Sequence, residues 1–228
     1  MARSRSATAR SAVYRVFDDG LRTLGSDFLA EVALRSSRYA PLPMVDGDFF
    51  AHVSAIVEDG ASIGSGTKVW HHGHVRSGSR LGADCVLGKN VFIDDGAVVG
   101  DRCKIQNNVS VYNGVTIGDD VFVGPAATFT NDLVPRAFNT EWHITKTFVN
   151  TGASVGANAT IICGTTLGEY SMVAAGATVT RSVAPHQLVA GTPARHLGWV
   201  CRCGVVVSRS ADAPEDFTCE ACEPEKAP

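Results

Sequence analysis

Aliphatic side chains recur every six residues along most of this chain, at Val57, Ile63, Val69, Val75, Leu81 and Leu87 and onward through Ile93, Ile105 and Ile117 to Phe129. The register breaks once and resumes at Val149, Val155, Ile161, Leu167, Val173 and Val179, so one architecture spans both sides of a single insertion. A helix repeats every ~3.6 residues and a half-buried strand every ~2, so neither alone explains a period of six. Glycines follow the aliphatic at Gly64, Gly82, Gly100 and Gly118, eighteen apart, which groups the hexads into threes. Both periods are satisfied by a solenoid in which three short strands close one triangular coil.

Strand alternation also turns inward the residue two before each aliphatic, and its place beside a tight corner requires it to be small. Those positions hold Ala61, Thr67, Gly73, Ser79, Cys85, Val91, Ala97, Cys103, Val109, Val115, Val121 and Ala127 before the break and Ala153, Ala159, Thr165, Ser171 and Ala177 after it, none of them large. Corner positions carry Asp59-Gly60, Asp95-Gly96, Asn113-Gly114 and Asp119-Asp120, residue types that accept left-handed backbone angles. Successive coils then stack at the ~4.8 Å strand spacing and bury one another's apolar faces. A hydrophobic fraction of 45% with only 7% aromatic residues suits a core of valine, isoleucine and alanine stacks.

Three regions are expected: an N-terminal extension over residues 1–50, the solenoid over 51–199 with an inserted loop at 130–148, and a short tail over 200–228. The first forty residues carry seven arginines against four acids, yet lack the uninterrupted apolar run of a secretory signal. Met1 to about Thr8 reads as a flexible tail. From Ser11 to Arg38, Val13, Val16, Phe17, Leu21, Leu24, Phe28 and Leu29 approximate helical spacing, which predicts one or two helices covering a solenoid end or a neighbouring subunit. A net charge of -3 leaves no nucleic-acid footprint, and no apolar run is long enough to span a membrane, so a soluble cytoplasmic protein is expected.

The chain changes character after Trp199. Cys201 and Cys203, then fifteen residues, then Cys219 and Cys222 form two thiol pairs at zinc-ribbon spacing, the first pair one residue tighter than usual. Structural zinc is the expectation, with disulfides or free thiols as the alternatives. Four thiolates would leave a catalytic zinc no open position. Cys85, Cys103 and Cys163 fall inside the repeat.

The insertion between Phe129 and Val149 is the one long irregular stretch, and such loops inside a compact repeat are usually functional. A solenoid has no natural cavity, so a site must be built by projecting a loop toward a neighbour. Asn131, where the loop departs, stands eighteen residues after Asn113 and so one coil above it. The next corner carries Lys89, Asn90, Gln106, Asn107 and Asn108, which either bind a ligand or hydrogen-bond one another along the stack.

Four stretches together, Val69-Trp-His-His-Gly-His74, Gly100 to Tyr112, Phe129-Thr-Asn131 with Pro135-Arg136, and Gly191-Thr-Pro-Ala-Arg195 to Trp199, resemble the hexapeptide-repeat acyltransferases, specifically the bacterial N-acetyltransferases of nucleotide-linked 3-amino sugars. The resemblance runs from about Phe50 to Trp199 and leaves out both termini. It implies an all-β left-handed parallel β-helix and a homotrimer, with acetyl-CoA along the groove between adjacent solenoids. Ala174, Ala175 and Gly176 would then allow close approach of the pantetheine arm, and Arg181 and Arg195 would meet the nucleotide phosphates. The sugar nucleotide would lie on Lys89, Asn90, Lys104, Gln106, Asn107, Asn108, Tyr112, Asn113 and Arg136. Asn131 would orient the sugar or polarise the acetyl carbonyl, and either His143 or the departing thiolate would take the proton. The segment Ala137-Phe-Asn-Thr-Glu141 lacks the additional basic residues associated with uronate substrates. That favours a neutral dTDP-3-amino-3,6-dideoxyhexose, with UDP-2-acetamido-3-amino-2,3-dideoxyglucuronate as the runner-up.

Two other classes compete. His52, His71, His72 and His74 invite comparison with the carbonic anhydrase of the same fold, but the later His-x4-His pair that it needs is missing downstream. A non-catalytic scaffold is the other, and the long loop argues against it.

Overall fold

The computed structural model describes residues 49–222, so the expected helices of the N-terminal extension lie outside the described residues. Within them the chain is a parallel β-solenoid with three faces, and no helix occurs among the described residues. The first face stacks Phe50–Ala51, Lys68–Val69, Val86–Leu87, Lys104–Ile105, Phe122–Val123, Ser154–Val155, Met172–Val173 and Gln187–Ala190. The second runs from Ile56–Val57 through Phe92–Ile93 and Thr128–Phe129 to Thr178–Val179, and the third from Ser62–Ile63 through Val115–Ile117 to Thr166–Leu167. Pairing follows the sequence period: Lys68 lies on Val86, Ser110 on Phe92 and Arg80 on Val98, each eighteen residues apart.

The inward aliphatics Val69, Val75, Leu87, Ile93, Ile105, Val111 and Ile161 are fully buried, as are the small inner positions Cys85, Ala97, Cys103, Ala153, Ala159 and Ala177. At about 25 cal/mol per Å² of apolar surface, each of these buried valines, leucines and isoleucines contributes roughly 1.5–3 kcal/mol. Buried Thr67 keeps its hydroxyl satisfied by donating to the Gly82 carbonyl at 2.8 Å and accepting the Cys85 N–H at 2.9 Å. Cys85 and Cys103 sit one coil apart, their sulfurs 3.1 and 3.0 Å from the carbonyls of Gly100 and Gly118. The neighbouring Cys85 sulfur and burial push the Cys103 thiol up.

The corners bear out the turn residues. Between the second and third faces the left-handed position is glycine in every described coil that has one, at Gly60, Gly78, Gly96, Gly114 and Gly164. Between the first and second faces it is His72, Asn90, Asn108, Ala126, Asn158 and Gly176. Side chains are therefore affordable at one corner and absent from the other.

Parallel pairing ends with Gln187–Ala190. Arg195–Val200 then returns antiparallel on that strand, and Val206–Ser208 follows antiparallel on Arg195–Val200, closing this edge of the first face. No helix of the described residues is long and apolar enough to cross a membrane.

Candidate functional site

The second face is bounded by the two corners that carry the predicted residues. At its edge with the first face, one column holds Trp70-His71-His72, Lys89-Asn90, Gln106-Asn107-Asn108, Gly124-Pro125-Ala126, Gly156-Ala157-Asn158 and Ala174-Ala175-Gly176, coil upon coil. The column is long-chained and polar toward the early coils and small toward the late ones. The amides partly serve the stack itself: Asn107 Oδ1 accepts the Lys89 N–H at 2.8 Å, and Asn90 Nδ2 donates to Asn108 Oδ1 at 3.0 Å. Asn107 and Asn108 nevertheless stay exposed. Lys104 stands outward on the first face just before this corner.

At the other edge of the face Tyr112, Asn113 and Asn131 share a column, as the eighteen-residue spacing predicts. Asn131 Nδ2 donates to the Asn113 carbonyl at 3.5 Å, a long bond that leaves its side chain weakly held. The insertion departs here and returns here, with the Thr145 N–H donating to the Asn131 carbonyl at 2.9 Å and the Thr147 N–H to the Gly114 carbonyl at 2.9 Å. Residues 132–144 project as an arm held by local turns: Asp132 Oδ1 accepts the Val134 N–H, and Asn139 Oδ1 accepts the Glu141 N–H. Arg136 bonds the adjacent Pro135 carbonyl at 2.8 Å and stays exposed, as does His143. The arm displays Phe138 at 84% and Trp142 at 55% exposure, with Leu133 and Val134 beside them. Exposed apolar side chains gathered on a projecting loop make the arm a candidate interaction surface.

The cofactor residues divide. Gly191–Arg195 folds back on the last coil, where the Ala194 N–H donates to the Thr178 carbonyl at 2.8 Å and Thr192 Oγ1 to the Gly176 carbonyl at 3.4 Å, so exposed Arg195 stands near Ala174–Gly176. Arg181 lies at the opposite corner, in the column of Asn113 and Asn131. The small residues are needed for coil contact as well, since a Cβ on Gly156 would run into the Ala175 backbone nitrogen.

Two charged networks escaped the sequence reading. On the second face, His74 Nε2 donates to Glu58 Oε1 at 2.7 Å, Glu58 Oε2 accepts the Ser77 N–H at 2.9 Å, and Arg76 meets Asp94 at 2.8 Å. The Ser77 N–H and then His74 hold the Glu58 carboxyl below its usual range. Phe92 packs edge-on to His74 at 5.4 Å and to Tyr112 at 6.2 Å. At the corner between the third and first faces, Arg102 grips Asp120 through two 2.8 Å bonds, which holds that carboxyl down. Asp101 and Asp119 each accept the backbone N–H one coil earlier, from Ala83 and Asp101. The eighteen-residue offsets Arg76/Asp94 and Arg102/Asp120 were the signal available in the sequence.

Of the histidines considered for metal, His52 and His71 stack face to face at 3.6 Å, but among the described residues only the four tail cysteines group as metal ligands. Cys201, Cys203, Cys219 and Cys222 bring their sulfurs within 4.8 Å of one another. The tight first pair is accommodated by a turn in which Gly204 takes φ +91° and donates its N–H to the Cys201 carbonyl at 2.8 Å. His186, Arg202, Glu215, Asp216, Phe217 and Thr218 line a cleft beside this cluster.

Residues 96–131 match the bacterial transferase hexapeptide model of six repeats, and residues 152–181 the hexapeptide repeat of succinyl-transferase. A dTDP-3-amino-3,6-dideoxy-alpha-D-galactopyranose 3-N-acetyltransferase of Aneurinibacillus thermoaerophilus is 50% identical over 58 residues, 25% of this chain and 30% of its own length. The chain thus matches under a third of that curated relative. Among solved structures, the acetyltransferase domain of PglB from Neisseria gonorrhoeae in complex with acetyl coenzyme A is 19% identical, with a TM-score of 0.48 over 66% of this chain and 58% of that one. PerB from Caulobacter crescentus, in complex with CoA and GDP-perosamine, is 25% identical, with a TM-score of 0.33 over 67% of this chain and 58% of that one. Two segments of the chain thus match hexapeptide-repeat models, and the chain resembles a nucleotide-sugar 3-amino N-acetyltransferase over part of its length.

Proposed function

We propose that the protein is an acetyl-CoA-dependent N-acetyltransferase acting on the 3-amino group of a dTDP-3-amino-3,6-dideoxyhexose. The observation that carries this assignment is the 58-residue segment, half of it identical to an enzyme named for that reaction on a dTDP-linked 3-amino sugar. The solenoid is the left-handed β-helix of that family, assembled as a homotrimer. The exposed arm supports a trimer, because Phe138 and Trp142 lack a covering surface among the described residues and a neighbouring copy would supply one.

The amine of such a sugar needs little activation, so catalysis rests on orientation and on charge stabilisation at the thioester oxygen. The 3-amino nitrogen attacks the acetyl carbonyl carbon, the carbon–sulfur bond breaks, and the amine proton passes to the departing thiolate or to His143. Asn131, loosely tied to its own coil, is free to donate toward the sugar or the acetyl carbonyl. Ala174, Ala175 and Gly176 leave room for the pantetheine arm. Arg195 meets the CoA phosphates from the adjoining segment, and Arg181 does so from the opposite corner, which in a trimer would face a different groove. Arg136 fixes the sugar nucleotide from the arm, with Lys89, Asn90, Lys104 and Gln106 on the polar stretch of the column.

Thiol release from acetyl-CoA, measured over a panel of nucleotide-linked amino sugars, tests the assignment. Turnover of the neutral dTDP-linked 3-amino sugar is expected to exceed that of UDP-2-acetamido-3-amino-2,3-dideoxyglucuronate. The reverse preference shifts the assignment to the uronate, and silence across the panel leaves a non-catalytic scaffold.

A further inference from the structure

We propose that Cys201, Cys203, Cys219 and Cys222 bind one Zn²⁺ ion, and that this ion locks the C-terminal segment onto the last coil. A tetrahedral zinc with Zn–S bonds of ~2.3 Å sets its sulfurs about 3.8 Å apart. The four sulfurs here all lie within 4.8 Å of one another, and those of Cys203 and Cys219 are 3.4 Å apart, so the quartet brackets that spacing. Four sulfurs and no other donor select zinc over calcium, magnesium or manganese, and the filled tetrahedron makes the site structural. Each thiol that ligates gives its proton to solvent, so binding weakens as pH falls.

The segment has little else to hold it. After Val200 it contains one short strand, Val206–Ser208, and most of its residues are exposed. Its apolar anchor is Phe217, stacked on the His186 ring at 4.4 Å and 15°, with His186 stacked in turn on Tyr170 at 5.2 Å. The Trp199 indole N–H and His196 Nε2 both reach the Ser210 carbonyl, at 3.0 and 2.8 Å. One short antiparallel strand, the aromatic contacts of Phe217 and two such bonds are little to order over twenty residues, whereas a four-thiolate zinc supplies folding free energy directly. The clamp also closes the strand that begins at Arg195, which pairs antiparallel with Gln187–Ala190.

The full chain, purified without chelator, is expected to carry one zinc per chain by elemental analysis. A mercurial should release that zinc to a chromogenic chelator. Replacement by Co²⁺ should give intense thiolate-to-cobalt absorption with the visible bands of a tetrahedral site. The C219S/C222S double variant should lose the metal and become cleavable by protease beyond Val200, with the solenoid intact. If that variant does not fold, the zinc content and cobalt spectrum of the unaltered chain decide alone. Absence of stoichiometric zinc, iron in its place, or disulfides in the freshly isolated chain overturns the proposal. None of these readings depends on acetyl transfer.

Discussion

The backbone N–H of Thr145 donates to the carbonyl of Asn131 at 2.9 Å, so the two ends of the inserted arm meet at one point of one corner. The insertion consequently adds no coil. Val115 pairs with Thr147 thirty-two residues later, and from Phe148 onto Thr166 the offset is eighteen again. Each coil depends chiefly on its neighbours, so an excursion that returns to its starting point leaves the stack in register.

The arm is expected to be an assembly element. Replacing Phe138 and Trp142 with serine should leave the folding of each chain unchanged, because both side chains are exposed and fill no cavity. Sedimentation should move from the proposed trimer toward monomer, with activity lost in step. An intact, fully active trimer would remove the arm from the interface.

Asn131→Ala should lower kcat/KM by about a hundredfold if the amide donates to developing charge. Its side chain's only bond among the described residues is the 3.5 Å contact with Asn113, so stability should move by less than about 0.5 kcal/mol. Kinetics beside thermal unfolding separate the two effects, and an unchanged kcat/KM removes Asn131 from the chemistry.

Gly156→Ala should destabilise the late coils, because the added Cβ would clash with the backbone nitrogen of Ala175. A cost of about 1–3 kcal/mol is expected from urea denaturation. Ala174–Gly176 is the stretch displaced, so the KM for acetyl-CoA should rise while that for the sugar holds.

Glu58 has a folded-state pKa below its ordinary 4.5, chiefly through the Ser77 N–H and then through His74. A depressed carboxyl stabilises the fold above its unfolded pKa and loses that contribution as pH falls through the folded one. E58Q should therefore be less stable than the parent at neutral pH. The gap should narrow below 4.5 and close once the folded-state pKa is passed. Denaturation midpoints across that range provide the check, and a gap independent of pH would assign the effect to packing.

Ile105→Ala, emptying a fully buried slot between coils, should cost about 2–5 kcal/mol. Hydrogen exchange is expected to show loss of protection greatest in the strands directly above and below, Phe122–Val123 and Val86–Leu87.

The coils, their eighteen-residue stacking, the small inner positions and the corner at which the arm leaves are all readable from residue order. All of these follow from a local rule, that a buried aliphatic at every sixth residue and a left-handed turn between them admit one stacking. The placement of Asn131 over Asn113, and of Asn107 and Asn108 beside Asn90, was legible for the same reason. Tertiary structure alone decided that Arg195 stands near Gly176 while Arg181 lies across the face at the other corner. It also decided that Glu58, His74, Arg76 and Asp94 close a network, and that Phe217 stacks on His186. These relationships involve outward-facing side chains or segments beyond the repeat, where no burial requirement marks the residue type and only the path of the chain brings the partners together.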